Sequence, residues 1–243
     1  MRIPRFYFPD ALALGARVAL PKEAAHHAVR VLRMGEGDAV SLFNGDNHVY
    51  RARILRIEKQ DLLVLIESRV ALSCESTLSL LLVQGISSGE RMDYTLQKAV
   101  ELGVAAIQPI QAERSVVKLT GERREKRMQH WRNVVAAACE QCGRNQVPEV
   151  KAVAGLMEWL GEPGAEGQRI LLAPDAEMRL RELAQPTGAV TLAVGPEGGF
   201  SDKEQAALLQ YGFTPVKLGP RVLRTETAAL AALASMQALW GDY

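Results

Sequence analysis

A chain of 243 residues with 48% apolar and 23% charged side chains can build one large domain or two modest ones. Its net charge of +1 names no partner, its three cysteines are too few for a disulfide framework, and no apolar run approaches the roughly 18 residues of a membrane-spanning helix. The opening MRIPRFYFPD lacks the apolar core of a secretion signal, so a cytosolic protein is expected.

In chain order, residues 1–70 read as a small β-rich module. Short strands are expected over Arg2–Phe8 and Arg17–Leu20, and a helix over Glu23–Met34, with Ala25, Val29 and Leu32 at helical spacing. His26 and His27 sit on that helix without a carboxylate–nucleophile pattern to make them catalytic. Ala39–Phe43 and His48–Ile54 flank Asn44-Gly45-Asp46-Asn47, a hairpin signal, and Leu62–Glu67 closes the module. Several strands and one helix point to a compact barrel. Residues 1–72 carry 11 Lys/Arg against 8 Asp/Glu, and the remainder 18 against 20. That asymmetry mildly favours a nucleic-acid-contacting first module, and a solvated surface explains it about as well.

Small polar residues gather at Ala71–Thr77 and mark a linker. Beyond it, strands and helices alternate, as in an α/β sheet. Leu78–Gln84, Ala105–Ile110, Arg169–Ala173, Val190–Val194 and Thr214–Leu218 are the expected strands. Helices are expected over Arg91–Leu102, over Glu122–Cys142 (basic at its start), after Ser201, and over Thr225–Trp240. Ser201 and Glu204 have capping-box spacing.

Two glycine loops stand where strands should end, and ligands of open α/β sheets bind at such ends. Gly195-Pro196-Glu197-Gly198-Gly199 follows one strand; Gly219-Pro220-Arg221 follows another. Neither phosphate-loop nor dinucleotide fingerprint is present. The first loop reads either as a tight turn or as a backbone cradle, and Glu197 either receives a ligand's hydrogen bonds or caps nearby N–H groups. In the second, Thr225 or Thr227 can cap the helix and Glu226 suits its first turn. Arg221 and Arg224 either pair at the surface or await a phosphate or base edge. Cys139 and Cys142 form a C-x-x-C in an Ala-rich helical run without a second ligand pair, which favours packing over metal or redox chemistry. Ser87 and Ser88 before Gly89 make no nucleophile elbow, and the exposed-or-functional status of Arg114 and Arg144 stays open.

Together VGPEGGFS (194–201), LGPRVLRTETA (218–228), QKAVELGV (97–104), ERS (113–115), AACEQCGRNQVP (137–148) and the N-terminal MRIPRFYF and HHAVRVLRMGEGD resemble the bacterial 16S ribosomal RNA uridine N3-methyltransferases over nearly the whole chain. That resemblance implies a PUA-like RNA-binding β-barrel (residues 1–71) before a SPOUT methyltransferase domain (72–243). The second domain would carry a mostly parallel sheet and a C-terminal trefoil knot, and the protein would be a homodimer. It implies S-adenosylmethionine (SAM) as cofactor, held by Leu172, Ala173, Gly195, Glu197, Gly198, Leu218, Gly219 and Leu223, and no metal. The expected catalytic set is Arg224 for charge stabilisation, with Glu226 or Glu197 as proton acceptor. RNA phosphates would meet Arg2, Arg5, Arg30, Arg33, Arg114 and Arg144. The same scaffold would also suit a tRNA base, a ribose 2′-oxygen, or a non-catalytic assembly factor.

Overall fold

The computed structural model describes residues 3–58, 61–162 and 167–243. The chain divides into two compact units, residues 1–75 with 139–147, and residues 76–138 with 148–243.

The first unit is a five-stranded sheet with strand order β1-β3-β4-β5-β2. Its strands are β1 (Arg5–Tyr7), β2 (Arg17–Ala19), β3 (Ala39–Phe43), β4 (His48–Glu58) and β5 (Asp61–Ala71). All pairings are antiparallel except β1 with β3. Alternation along β4 and β5 buries Ala52, Ile54, Leu62, Val64 and Ile66 on one face, against Phe6, Leu20 and Leu42. The hairpin loop obtains its positive φ at Gly45 (98°) and Asn47 (61°). The helix expected over Glu23–Met34 is interrupted: α1 (Lys22–His26) passes into a π-helical turn, His27–Val31, before Arg33 takes a positive φ of 56°. An inserted residue of this kind rotates everything after it, so uniform 3.6-residue spacing does not hold here.

This unit also takes in a distant segment. Arg144 pairs with Glu75 (Nη2 to Oε2, 2.5 Å), Asn145 donates to the Leu72 carbonyl, and the Tyr7 N–H donates to Glu140 at 2.9 Å. Arg5 donates to the Arg144 carbonyl and to Asn145 Oδ1, with its guanidinium 4.8 Å from the Phe43 ring centre. No spacing in the sequence announces this return.

The second unit holds a parallel sheet of order β12-β10-β11-β6-β7-β8, with β9 also pairing with β7. In chain order it contains β6 (Leu80–Gly85), α2 (Glu90–Glu101), β7 (Ala106–Gln111) and α3 (Gly121–Cys142, whose last turn belongs to the first unit). Then come β8 (Glu149–Val150), β9 (Ala154–Gly155), α4 (Leu156–Leu160), β10 (Gly167–Leu172), β11 (Ala189–Val194), α5 (Asp202–Gln210), β12 (Thr214–Val216) and α6 (Thr225–Trp240). The central strands β6 and β11 are buried on both sides, which is why they read as mostly apolar runs and not as alternating ones. On one face, Val83, Leu171 and Ala193 meet Leu156, Phe200, Leu208 and Phe213. Elsewhere α2 packs against α6. The Ser201 box closes as expected: Ser201 Oγ accepts the Glu204 N–H at 3.3 Å, and Glu204 Oε2 accepts the Ser201 N–H at 2.9 Å. Strand β12 stops at Val216, earlier than the expected Leu218, and Lys217 turns instead to a parallel bridge with Arg179, donating to the Met178 carbonyl at 2.9 Å.

Candidate functional site

Because β12, β10 and β11 are neighbours and parallel, their carboxyl ends lie side by side. The three following loops enclose one cleft of about 570 Å³. Its walls include Leu172 and Ala173 at the end of β10, the Gly195–Gly199 loop after β11, and Leu218, Gly219, Leu223 and Arg224 after β12. All eight residues expected to hold a cofactor therefore line a single cavity. So does Arg221; Glu226 is not among the lining residues.

The Glu197 carboxylate is fixed from the start of α2. Its Oε1 accepts the Ser88 N–H and the Ser88 hydroxyl, both at 2.8 Å, and Arg91 Nη1 at 3.2 Å. Capping of a nearby backbone N–H is thus what Oε1 does, while Oε2 is buried without a partner among the described residues. Burial would push this carboxyl up, but hydrogen bonds from Ser88 and Arg91 outweigh it and hold it below the ordinary 4.5. Arg91 Nε also stands 3.9 Å from Glu226 Oε1, and Glu226 Oε2 is likewise buried and unpartnered among the described residues. One arginine thus lies between both candidate carboxylates. A depressed carboxyl stabilises the fold above its unfolded-state value and ceases to do so as pH falls through the folded value. Glu197→Gln is therefore expected to lower unfolding free energy by roughly 1–2 kcal/mol at neutral pH. The gap to the native chain should narrow as pH falls from neutral to well below the ordinary 4.5, through the lowered folded value; denaturant titrations across that range measure it.

The N-terminus of α6 differs from the expected cap. Arg224 occupies the N-cap position and its side chain makes no capping bond. Thr225, one residue further, turns its hydroxyl inward: Oγ1 donates to the Gly195 carbonyl at 2.6 Å and accepts Gln84 Nε2 at 3.0 Å. This buried link ties the first glycine loop, the end of β6 and the second loop together. Thr225→Val would leave the buried Gly195 carbonyl without this donor and one of the two Gln84 amide hydrogens without its acceptor, a cost of about 1–3 kcal/mol. Its melting temperature should fall by roughly 3–10 °C, with Thr225→Ser near the native value.

The expected cationic residues separate by environment. Arg221 and Arg224 are exposed and have no partner among the described residues. Arg30 and Arg33 are exposed around the π-helical turn, and Arg30 borders a separate cleft of about 510 Å³ with Lys22 and His26. Arg144 is only 6% exposed and is spent on Glu75, so it does not face solvent as an RNA-gripping arginine would; Arg5 is half-buried, with its guanidinium committed to the same segment. Arg114 braces the first glycine loop, donating to the Phe200 carbonyl at 3.3 Å and approaching Asp202. A Cβ built on Gly198 would lie 3.1 Å from Arg114 Cβ, a tight contact that Arg114 would have to relieve by a shift of a few tenths of an ångström. Arg2 lies outside the described residues. Cys139 is buried, which pushes its thiol up to about 12, and no group of three or more His, Cys, Asp or Glu among the described residues could hold a metal. No helix among them is long and apolar enough to cross a membrane.

Ser88, Arg91, Gln84 and Gly85 do not line the cleft but support its walls from behind, and no pattern in the sequence points to them. Gln84 and Gly85 end β6, Ser88 lies in the loop that follows and Arg91 in the first turn of α2; only the adjacency of β6 to β11 brings them beside the first glycine loop. Sequence alone carries no signal of strand order.

Comparison with known proteins gives this site a class. The family of RNA methyltransferase domains matches residues 74–237, and the family of RNA methyltransferase PUA domains matches residues 20–67. By both of its domains the chain is of the RNA methyltransferase class. The ribosomal RNA small subunit methyltransferase E of Buchnera aphidicola (subsp. Schizaphis graminum) is 37% identical over 241 residues, spanning 99% of this chain and 98% of that one. The structure of the same enzyme from Neisseria gonorrhoeae, bound to S-adenosyl methionine, is 42% identical with a TM-score of 0.91 over 100% of both chains. A Legionella pneumophila protein solved with bound SAM is 43% identical with a TM-score of 0.96, again over 100% of both chains. The chain belongs to the ribosomal RNA small subunit methyltransferase E family.

Proposed function

We propose that this protein transfers the methyl group of SAM to N3 of a uridine in 16S ribosomal RNA of the small subunit. The observation that carries the proposal is the cleft at the ends of β10, β11 and β12, walled by two glycine loops. The residues present fit the cofactor. Leu172, Leu218 and Leu223 offer apolar walls, Gly195, Gly198 and Gly219 allow close approach of backbone groups, and Glu197 Oε2 is a buried acceptor without a donor. The bound SAM would supply an electrophilic methyl group.

The rest of the chemistry falls to the chain. Uridine N3 carries a proton at neutral pH and must lose it to become nucleophilic. The Arg224 guanidinium, free at the cleft wall, stabilises negative charge developing on the uracil oxygens. Glu197 is held ionised by three donor contacts and suits holding a ligand hydroxyl or ammonium. Glu226 does not line the cleft, so its buried free oxygen and one long contact to Arg91 give it a supporting place behind Glu197 and not direct contact with the N3 proton. The target base must be unpaired, since N3 is occupied in a Watson–Crick pair.

In this reading residues 1–71 form the PUA-like barrel that grips RNA, with Arg30, Arg33 and Arg2 on phosphates, and residues 72–243 form the SPOUT domain. The trefoil knot is part of the proposal. It is supported by β12 pairing outside β10 while α6, which follows it, returns to α2. A cytoplasmic homodimer is proposed on the apolar surface that α2 and α6 leave open, where Tyr94 is 51% and Leu239 47% exposed. Purified small subunits incubated with radiolabelled SAM and the protein test the activity. Incorporation into 16S RNA is expected; RNA binding without incorporation would reduce the chain to a non-catalytic assembly factor.

A further inference from the structure

The first half of α3 carries an excess of cations that the site just described does not use. Over residues 122–132 there are five Lys/Arg against two Glu, in a chain whose total charge is +1. Met128, Trp131, Val135 and Ala138 are buried and fix how the helix is turned. Arg123, Lys126, Arg127 and His130, at i, i+3, i+4 and i+7, consequently share one face and line a shallow cleft of about 340 Å³ with Glu122.

The partners of these groups are few. Lys126 meets Glu122 at 2.6 Å in a pair that is 75% and 79% exposed, which contributes little to stability. His130 Nε2 lies 2.7 Å from Asp93 Oδ2 on α2, so the far end of the stripe is anchored. Arg123, Arg124, Arg127 and Arg132 have no ion-pair partner among the described residues. Arginines near the start of a helix also oppose its dipole, so helix stability gives no reason for Arg123 and Arg124 to be there. Their planar donor forks are suited to phosphate oxygens.

We propose that this face of α3 is a phosphate-binding surface for the ribosomal RNA substrate, carried by the methyltransferase unit and separate from Arg30 and Arg33. It rests on the reading that the chain acts on RNA. Charge complementarity favours the phosphate backbone as occupant, and with no Phe, Tyr or Trp in the cleft's lining and His130 held by Asp93, backbone contact is favoured over base stacking.

The test uses the full chain and an in vitro transcribed 16S RNA, with affinity measured over a range of KCl concentrations. For the triple variant Arg123→Gln, Lys126→Gln, Arg127→Gln, the slope of log affinity against log salt should become shallower by about 2, with affinity at least roughly tenfold weaker near 100 mM salt. The melting temperature and the SAM affinity by calorimetry should match the native chain. Because Arg127 is half-buried, Arg123→Glu alone serves as a second variant, with an expected slope change of about 1. Native slope and affinity in both variants overturn the proposal while leaving the methyltransferase reading intact. Absence of salt-dependent RNA binding by the native chain overturns both.

Discussion

Arg224→Ala is expected to lower methyl-transfer turnover by about a hundredfold to a thousandfold while changing RNA affinity only a few fold. The asymmetry follows from where the side chain stands. It projects from the N-cap of α6 at the wall of the cleft, exposed and unpaired among the described residues, so its removal breaks no internal bond. A group that meets charge present only in the transition state affects turnover, whereas a group that meets the RNA backbone affects binding. Single-turnover rates and filter-binding affinities separate the two. Equal losses in both would move Arg224 to substrate binding. Arg224→Lys keeps the charge without the planar fork and is expected to fall between native and alanine.

Gly85→Ala is expected to weaken SAM binding by about tenfold to a hundredfold and to cost roughly 1–3 kcal/mol of stability. Gly85 ends β6, and a Cβ built there would lie 2.4 Å from the Pro196 nitrogen and 2.5 Å from its Cδ. Those are backbone and ring atoms that no rotamer change can move aside, so the first glycine loop itself must shift. The same shift would strain the Thr225 bond to the Gly195 carbonyl. Calorimetric titration with SAM measures the affinity and thermal melting the stability. Native SAM affinity in this variant would show that the loop does not contribute to the cofactor's pocket.

Both expectations indicate which parts of the site can be read from sequence. The two loops were legible, because a glycine cluster after an apolar run says that a strand has ended and a ligand can approach. Helix α6 was legible over Thr225–Trp240, and β3 over Ala39–Phe43, because local pattern decides their limits. The eight cleft residues were named from the family resemblance; that they share one cavity depends on β12, β10 and β11 being adjacent.

What was not legible is long-range. Glu197 finds Ser88 and Arg91 across 109 and 106 residues, and Arg144 finds Glu75 across 69. Arg144 shows the consequence most plainly. An arginine after a helix end reads as a solvent-facing cation, and only the tertiary pairing reveals it as buried structure. Thr225 is similar: a threonine before an apolar helix reads as a cap, yet its hydroxyl belongs to Gly195. The π-helical turn at His27–Val31 departs from the expected regular helix because that expectation assumes one residue period throughout.

The most direct measurement of the central claim is mass spectrometry of nucleosides from 16S RNA methylated by this protein in small subunits. The expected result is a single new species, N3-methyluridine, absent when SAM is withheld. A methyl group on a ribose 2′-oxygen, or on any base other than uracil, would contradict it.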